Sequence, residues 1–158
     1  MKNGELHTLI DLLERSCLKF PENAYLWEKR EGGYRSVTYR QTRREVGDVA
    51  AGLLAGGLQK GDRVALLSEG CNDWVFAELG ILYAGGVNVP LSIKLTDKEL
   101  IFRVRHSGAR FLIVSDYYVA TLRRIEAELP EIEKIYVIRY SSAEEGKYNS
   151  FERLHNVT

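Results

Sequence analysis

Residues 68–91 read SEGCNDWVFAELGILYAGGVNVPL. No charge follows Glu78 in this stretch, and glycines stand at Gly70, Gly80, Gly85 and Gly86. Such a stretch could be a phosphate-cradling loop, a membrane segment or the packed middle of an α/β sheet. The uncharged run, Leu79 to Ile93, is shorter than the roughly 20 residues that cross a bilayer, and Gly85, Gly86, Asn88 and Pro90 interrupt it. A dinucleotide fingerprint needs G-x-G-x-x-G directly after a strand. VALL (64–67) is followed by SEGCNDW with one glycine, and VNV (87–89) by PLSIKLT with none. No GxxxxGK[ST] occurs. The glycines therefore read as structural. Gly80 and Ala84 are small residues on one helix face that let a neighbour approach closely, and Gly85–Gly86 end that helix.

The rest of the chain supports the packed-sheet reading. Apolar runs start at Val64 (VALL), Val87 (VNV), Phe111 (FLIV) and Ile135 (IYVI), at intervals of 23, 24 and 24 residues. Each interval holds one helical pattern: Asn72 to Ala84, Thr96 to Ser107 and Asp116 to Leu129. Thr96 to Glu99 forms a T-x-x-E capping box, and Pro130 follows the last helix. Apolar strands alternating with helices imply a parallel sheet covered on both faces. The expected fold is α/β: a doubly wound parallel sheet with right-handed βαβ crossovers, preceded by a helix, a β-hairpin and a second helix. The first helix covers residues 8–20, with Leu9, Leu12, Leu13, Cys17 and Phe20 on its apolar face. The hairpin AYLWEKREGGYRSV turns at Gly32–Gly33, with Trp27 and Tyr34 near the turn. Thr38 and Gln41 open the second helix as a capping box, its stripe is Val46, Val49, Ala50, Leu53 and Leu54, and Gly56–Gly57 stop it. Residues 1–138 form one α/β unit, and residues 139–158 read as a polar surface connection to a missing remainder.

Composition narrows the function classes. Lys+Arg and Asp+Glu are both 22 in 158 residues, which argues against a nucleic-acid binder. Hydrophobic content of 45% with three prolines describes a folded domain. Cys17 and Cys71 make no CxxC, so both read as plain thiols in a cytoplasmic protein, and no metal site is expected. The N-terminal MKNGELHTLIDLLER carries charges through its apolar stretch and does not read as a signal peptide. His7, His106 and His155 fall in no metal or triad spacing, and no G-x-S-x-G elbow exists. The loops beyond the strands' carboxyl ends, Ser68–Asn72, Pro90–Leu95 and Ser115–Tyr118, are where a ligand would collect, yet they offer no evident acid–base pair.

TYRQ, GLQKGDRVALLSEG, NDWVFAELGILYAGGVNVPL, the T-x-x-E helix opening and HSGARFLIVSD resemble, in order and spacing, the N-terminal part of adenylate-forming enzymes. Within these the pattern is most similar to long-chain fatty-acid–CoA ligases, whose usual forms are close to E-N-R-P-E-W and G-A-V-N-V-P. The resemblance covers roughly residues 8–138 and departs at Gly70–Cys71–Asn72. It implies a reaction in which ATP and a fatty acid give an acyl-adenylate, which CoA then converts to the thioester, with Mg²⁺ as cofactor. It also implies that the catalytic motifs, including the SGTTGxPKG-type phosphate loop, lie elsewhere in the parent enzyme. The expectation is thus a first subdomain that is inactive alone, binds no cofactor tightly, has no transmembrane segment and leaves room for peripheral membrane contact. In some related synthetases the L-S-I-K-L region lies near the CoA nucleotide, which makes Lys94 and Arg123 candidate CoA-phosphate contacts. Two other readings stand beside this one: a free-standing α/β module that binds a nucleotide or CoA without catalysis, and an interaction module pairing through its sheet edge. Self-association is expected, with the faces around Trp27, Tyr34 and Tyr117–Tyr118 as its surfaces.

Overall fold

Helix α1 (Leu9–Lys19) opens the chain, followed by the hairpin of β1 (Ala24–Arg30) and β2 (Gly33–Thr38) and by α2 (Tyr39–Ala55). The computed structural model describes residues 6–141 and 148–156. Residues 1–5 of the N-terminal reading, residues 142–147 of the polar connection and the side chain of His155 lie outside the described residues. The wound unit runs β3 (Arg63–Leu67), α3 (Asn72–Tyr83), β4 (Val87–Pro90), α4 (Asp97–Ser107), β5 (Phe111–Ser115), α5 (Val119–Ile125), β6 (Lys134–Ile138) and β7 (Asn149–Ser150). The sheet order is β4-β3-β5-β6-β7, and every pairing is parallel.

The two faces of the sheet are sorted by the strand period of two. Val64 and Leu66 of β3, Phe111 and Ile113 of β5, and Tyr136 and Ile138 of β6 face α1, α2 and α3. Their neighbours Ala65, Leu67, Leu112, Val114 and Val137 face α4 and α5. Both sides of the central strands are therefore buried, as the unbroken apolar runs require. β4 is the exception. It is an edge strand, and Val87 is exposed rather than buried on both sides.

Local chemistry fixes the helix ends. Thr8, Thr38 and Thr96 each cap α1, α2 and α4 in reciprocal boxes with Asp11, Gln41 and Glu99. α3 ends at Gly85, whose φ of +78 suits glycine. Gly86 N–H donates to Ile81 O at 2.9 Å and Gly85 N–H to Leu82 O at 3.0 Å, the paired bonds of a Schellman stop. Gly80 lets α3 lie directly on α2: a Cβ there would stand 2.4 Å from Val49 Cγ1.

Several expectations are corrected. In α1 only Leu13 and Cys17 are buried, while Leu9, Leu12 and Phe20 are exposed. The helix touches its neighbours along a line one residue wide, so a five-residue apolar face is not covered. Leu54 is likewise exposed at the edge of the α2 stripe. The helix expected over Asp116–Leu129 is α-helical only over Val119–Ile125, flanked by 3-10 turns at Asp116–Tyr118 and Glu126–Glu128. Pro130 disfavours helical geometry in the residue before it, and Leu129 has φ −120 and ψ 54. Residues 139–158 are more than a surface connection. They supply β7 and a 3-10 helix, Phe151–Asn156, that buries Phe151 and Leu154 in the α2 side of the core. That helix sits so close that a Cβ at Gly52 would meet the Leu154 backbone at 2.7 Å.

Candidate functional site

The winding of the sheet reverses between β3 and β5. From β3 the chain passes through α3 to β4 on one side, and from β5 through α5 to β6 on the other. At such a switch point the loops leaving the two central strands diverge and open a crevice beyond their carboxyl ends. Two of the three loops marked from the sequence meet there, Ser68–Asn72 and Ser115–Tyr118. The third, Pro90–Leu95, lies alongside, its start tied back by Leu91 N–H donating to Leu66 O at 2.9 Å.

The floor of the crevice is polar. Ser115 Oγ, almost fully buried, donates to Glu69 Oε2 at 2.6 Å, and Ser68 Oγ donates to the Glu69 carbonyl at 2.9 Å. Burial, then the Glu69 charge, push the Tyr118 phenol upward, so it stays protonated at neutral pH. Burial also pushes the Cys71 thiol up, which keeps it from being a ready nucleophile. Cys17 is buried and donates to Tyr39 O. Both cysteines are the plain thiols expected. The crevice can orient a polar ligand, but its hydroxyls and single carboxylate form no acid–base pair. Among the described residues no group of three His, Cys, Asp or Glu could hold a metal ion.

Arg139, at the carboxyl end of β6, braces the site from one side. Its Nη2 lies 2.6 Å from Glu28 Oε1 on β1, and its Nε lies 2.8 Å from Asp73 Oδ2 in the first turn of α3. Its own N–H donates to Glu152 Oε1 at 2.8 Å. The residue pays for this reach with a left-handed backbone, φ 57, which costs a non-glycine residue about 1 kcal/mol or more. Burial disfavours the Arg139 charge, but Glu28 and Asp73 more than offset it and hold the guanidinium above its ordinary value. Burial likewise works against the Glu28 carboxylate, but Arg139 and Arg30 together draw it below its usual 4.5. A carboxylate lowered in the folded state stabilises the fold above its unfolded value, and that stabilisation fades as pH falls through the lower folded value. Arg139→Gln is therefore expected to cost roughly 2 kcal/mol at pH 7, between the exposed and buried limits for such pairs, and less at pH 3. Urea melts of both proteins at the two pH values check this; an equal loss at both would exclude the ionic explanation.

The site residues marked from the sequence stand on one flank. Lys94 is exposed in the loop after β4, and Arg123 is exposed in the last turn of α5. Their neighbours are joined: Arg124 reaches both carboxylate oxygens of Asp97, at 2.8 and 3.0 Å. The ion pair that links the two elements thus uses Arg124 and not Arg123. The exposed aromatics are where they were expected, with Trp27, Tyr34 and Tyr117 all largely open to solvent. Arg139 was not marked. Its position directly after the IYVI run, at a strand's carboxyl end, was the available clue.

With this geometry in view, the chain can be compared with known proteins. It belongs to the AMP-binding enzyme family, which matches residues 13–156. A crotonobetaine/carnitine–CoA ligase of Citrobacter koseri is 30% identical over 107 residues, covering 68% of this chain and 21% of that protein. The human mitochondrial acyl-coenzyme A synthetase ACSM2B is 26% identical over 122 residues, 76% of this chain and 21% of that one. The chain thus spans about a fifth of the length of these relatives. The crystal structure of the anthranilate CoA ligase AuaEII in complex with anthranoyl-AMP superposes with a TM-score of 0.86 at 28% identity, over 98% of this chain and 29% of that one. A benzoate CoA ligase of Burkholderia xenovorans shares the fold, with a TM-score of 0.77 at 23% identity, over 96% of this chain and 29% of its own. The α/β fold of the chain is that of the first part of these ligases. No helix among the described residues is long and apolar enough to cross a membrane.

Proposed function

We propose that the chain is the first subdomain of an acid–CoA ligase that adenylates a carboxylic acid with ATP and Mg²⁺ and passes the acyl group to CoA. The observation that carries this reading is the family match across the whole wound unit, with KGDRVALL on β3 and GGVNVPL on β4 around α3. The Trp74 stretch and GGVNVPL favour a long-chain fatty acid as the acid. Residues 1–138 then form the subdomain proper, with 139–158 leading toward the parts that carry the phosphate loop. In this reading Lys94 and Arg123 contact CoA phosphate. The described residues supply neither metal ligands nor a phosphate loop, so the chemistry belongs to the parent enzyme and the chain alone is inactive.

The test is pyrophosphate release from ATP and Mg²⁺ with CoA and palmitate, benzoate or carnitine, assayed on the 158-residue chain and on the enzyme that carries it. The expected result is turnover by the parent, fastest with palmitate, and none by the chain. Lys94→Ala combined with Arg123→Ala raises the KM for CoA roughly tenfold without changing that for ATP, the effect of losing charge-assisted phosphate contacts. Turnover by the chain alone would overturn the subdomain reading. A parent enzyme active only on benzoate would overturn the fatty-acid assignment.

A further inference from the structure

A second polar recess lies outside the switch-point crevice, between the hairpin and the start of α3. It is lined by Glu28, Arg30, Arg35, Ser36 and Asn72, with Glu31 at its rim, and has a volume of about 600 Å³. That is within the usual size range of small-molecule sites. The hairpin builds it by alternation. Leu26 and Val37 pack on the core, so Glu28, Arg30 and Arg35 on the same face run past the core edge and wall the recess.

We propose that this recess is an oxyanion site that takes the phosphate or carboxylate group of a small molecule. Two independent observations carry it. First, Asn72 lines the recess and is only 9% exposed, yet its carboxamide has no hydrogen-bond partner among the described residues. A buried amide left unpaired is costly, and its NH₂ donors suit an anion. Second, the N-terminus of the twelve-residue α3 opens at the same place, and Cys71 gives it no side-chain cap. Its free N–H groups and dipole favour a negative guest. The one acid in that turn, Asp73, is already neutralised by Arg139.

The walls have charge to spare. Glu28 is held by Arg139 and Arg30, both at 2.6 Å, so those three groups are mutually committed. Arg35, directly across the ladder from Glu28, makes no hydrogen bond or ion pair among the described residues. Its guanidinium is the cation left to close on the guest, and Ser36 adds a hydroxyl.

The experiment titrates the ¹⁵N-labelled 158-residue chain at low salt with sodium phosphate and, separately, with sodium acetate, using sodium chloride as control. The expected result is a saturable shift confined to the amides of residues 72–74 and the Asn72 side chain, with millimolar affinity or better. The tighter of the two anions identifies the guest as phosphate or carboxylate. Arg35→Gln, at an exposed strand position, weakens binding roughly tenfold, as does Asn72→Ala. Shifts that stay linear and are matched by chloride would overturn the proposal, and so would an Arg35→Gln chain that binds like the wild type. If Asn72→Ala fails to fold, the Arg35 variant decides alone. No ATP, fatty acid or CoA enters the assay, so its outcome is independent of the ligase reading.

Discussion

Ile81→Asp unfolds the domain. Ile81 has no exposed surface and sits in the cluster where α2 and α3 meet β3 and β5. The substitution removes the burial of a large aliphatic side chain, worth about 2–3 kcal/mol. It also places a carboxyl where no polar partner exists, which costs several kcal/mol more whether the group stays charged or takes a proton. The sum approaches the whole stability of an ordinary domain, about 5–15 kcal/mol. Because the protonated acid is the cheaper buried form, the loss is smaller at pH 4 than at pH 8. Circular dichroism of the variant should show no cooperative melt at neutral pH. A melting midpoint equal to the wild type's would mean that α3 is not packed on the sheet as described.

Gly80→Val forces two helices apart. The added Cβ would lie 2.4 Å from Val49 Cγ1 and 2.8 Å from Val49 Cβ, far inside contact distance. Val49 is fully buried and β-branched, so it cannot swing away cheaply. Overpacking of this kind costs about 1–3 kcal/mol, and valine's extra methyls put the expected loss at the upper end. The opposing gain in helix propensity on replacing glycine is at most about 1 kcal/mol and does not cancel it. Trimming the partner identifies the contact: Val49→Ala should restore part of the loss when combined with Gly80→Val. Additive losses in that double-mutant cycle would show that the two residues do not touch.

Much of this architecture was legible in the sequence, for a physical reason. The runs VALL, FLIV and IYVI are buried on both faces, so each is unbroken and stands out between helical patterns. Capping boxes at Thr38 and Thr96 are local chemistry, and they close as written. What the sequence could not supply depends on contacts far along the chain. Strand order is one such case, because nothing local says that β5 pairs with β3 while β4 goes to the edge. The exposure of Leu9, Leu12 and Phe20 is another, since an apolar face on α1 does not reveal how much of it a neighbour covers. The segment after Ile138 misled through its polarity. Phe151 and Leu154 are only two apolar residues in a charged stretch, yet the Gly52 gap admits them. The crevice loops were found because strand ends can be counted. Arg139 was missed because its partners, Glu28 and Asp73, are 111 and 66 residues away.

The contact between Gly52 and Leu154 sets a clock on synthesis. The face of α2 that Phe151 and Leu154 cover emerges about a hundred residues before its cover does. At typical translation rates of about 5–20 residues per second, that face waits roughly five to twenty seconds on the ribosome. During that interval β3 to β6 can already pair, since each crossover is local, but α2 stays unlidded on one flank. The nascent domain therefore passes through a state with its sheet assembled and one greasy helix flank open. That flank is where a ribosome-associated chaperone would be expected to hold it.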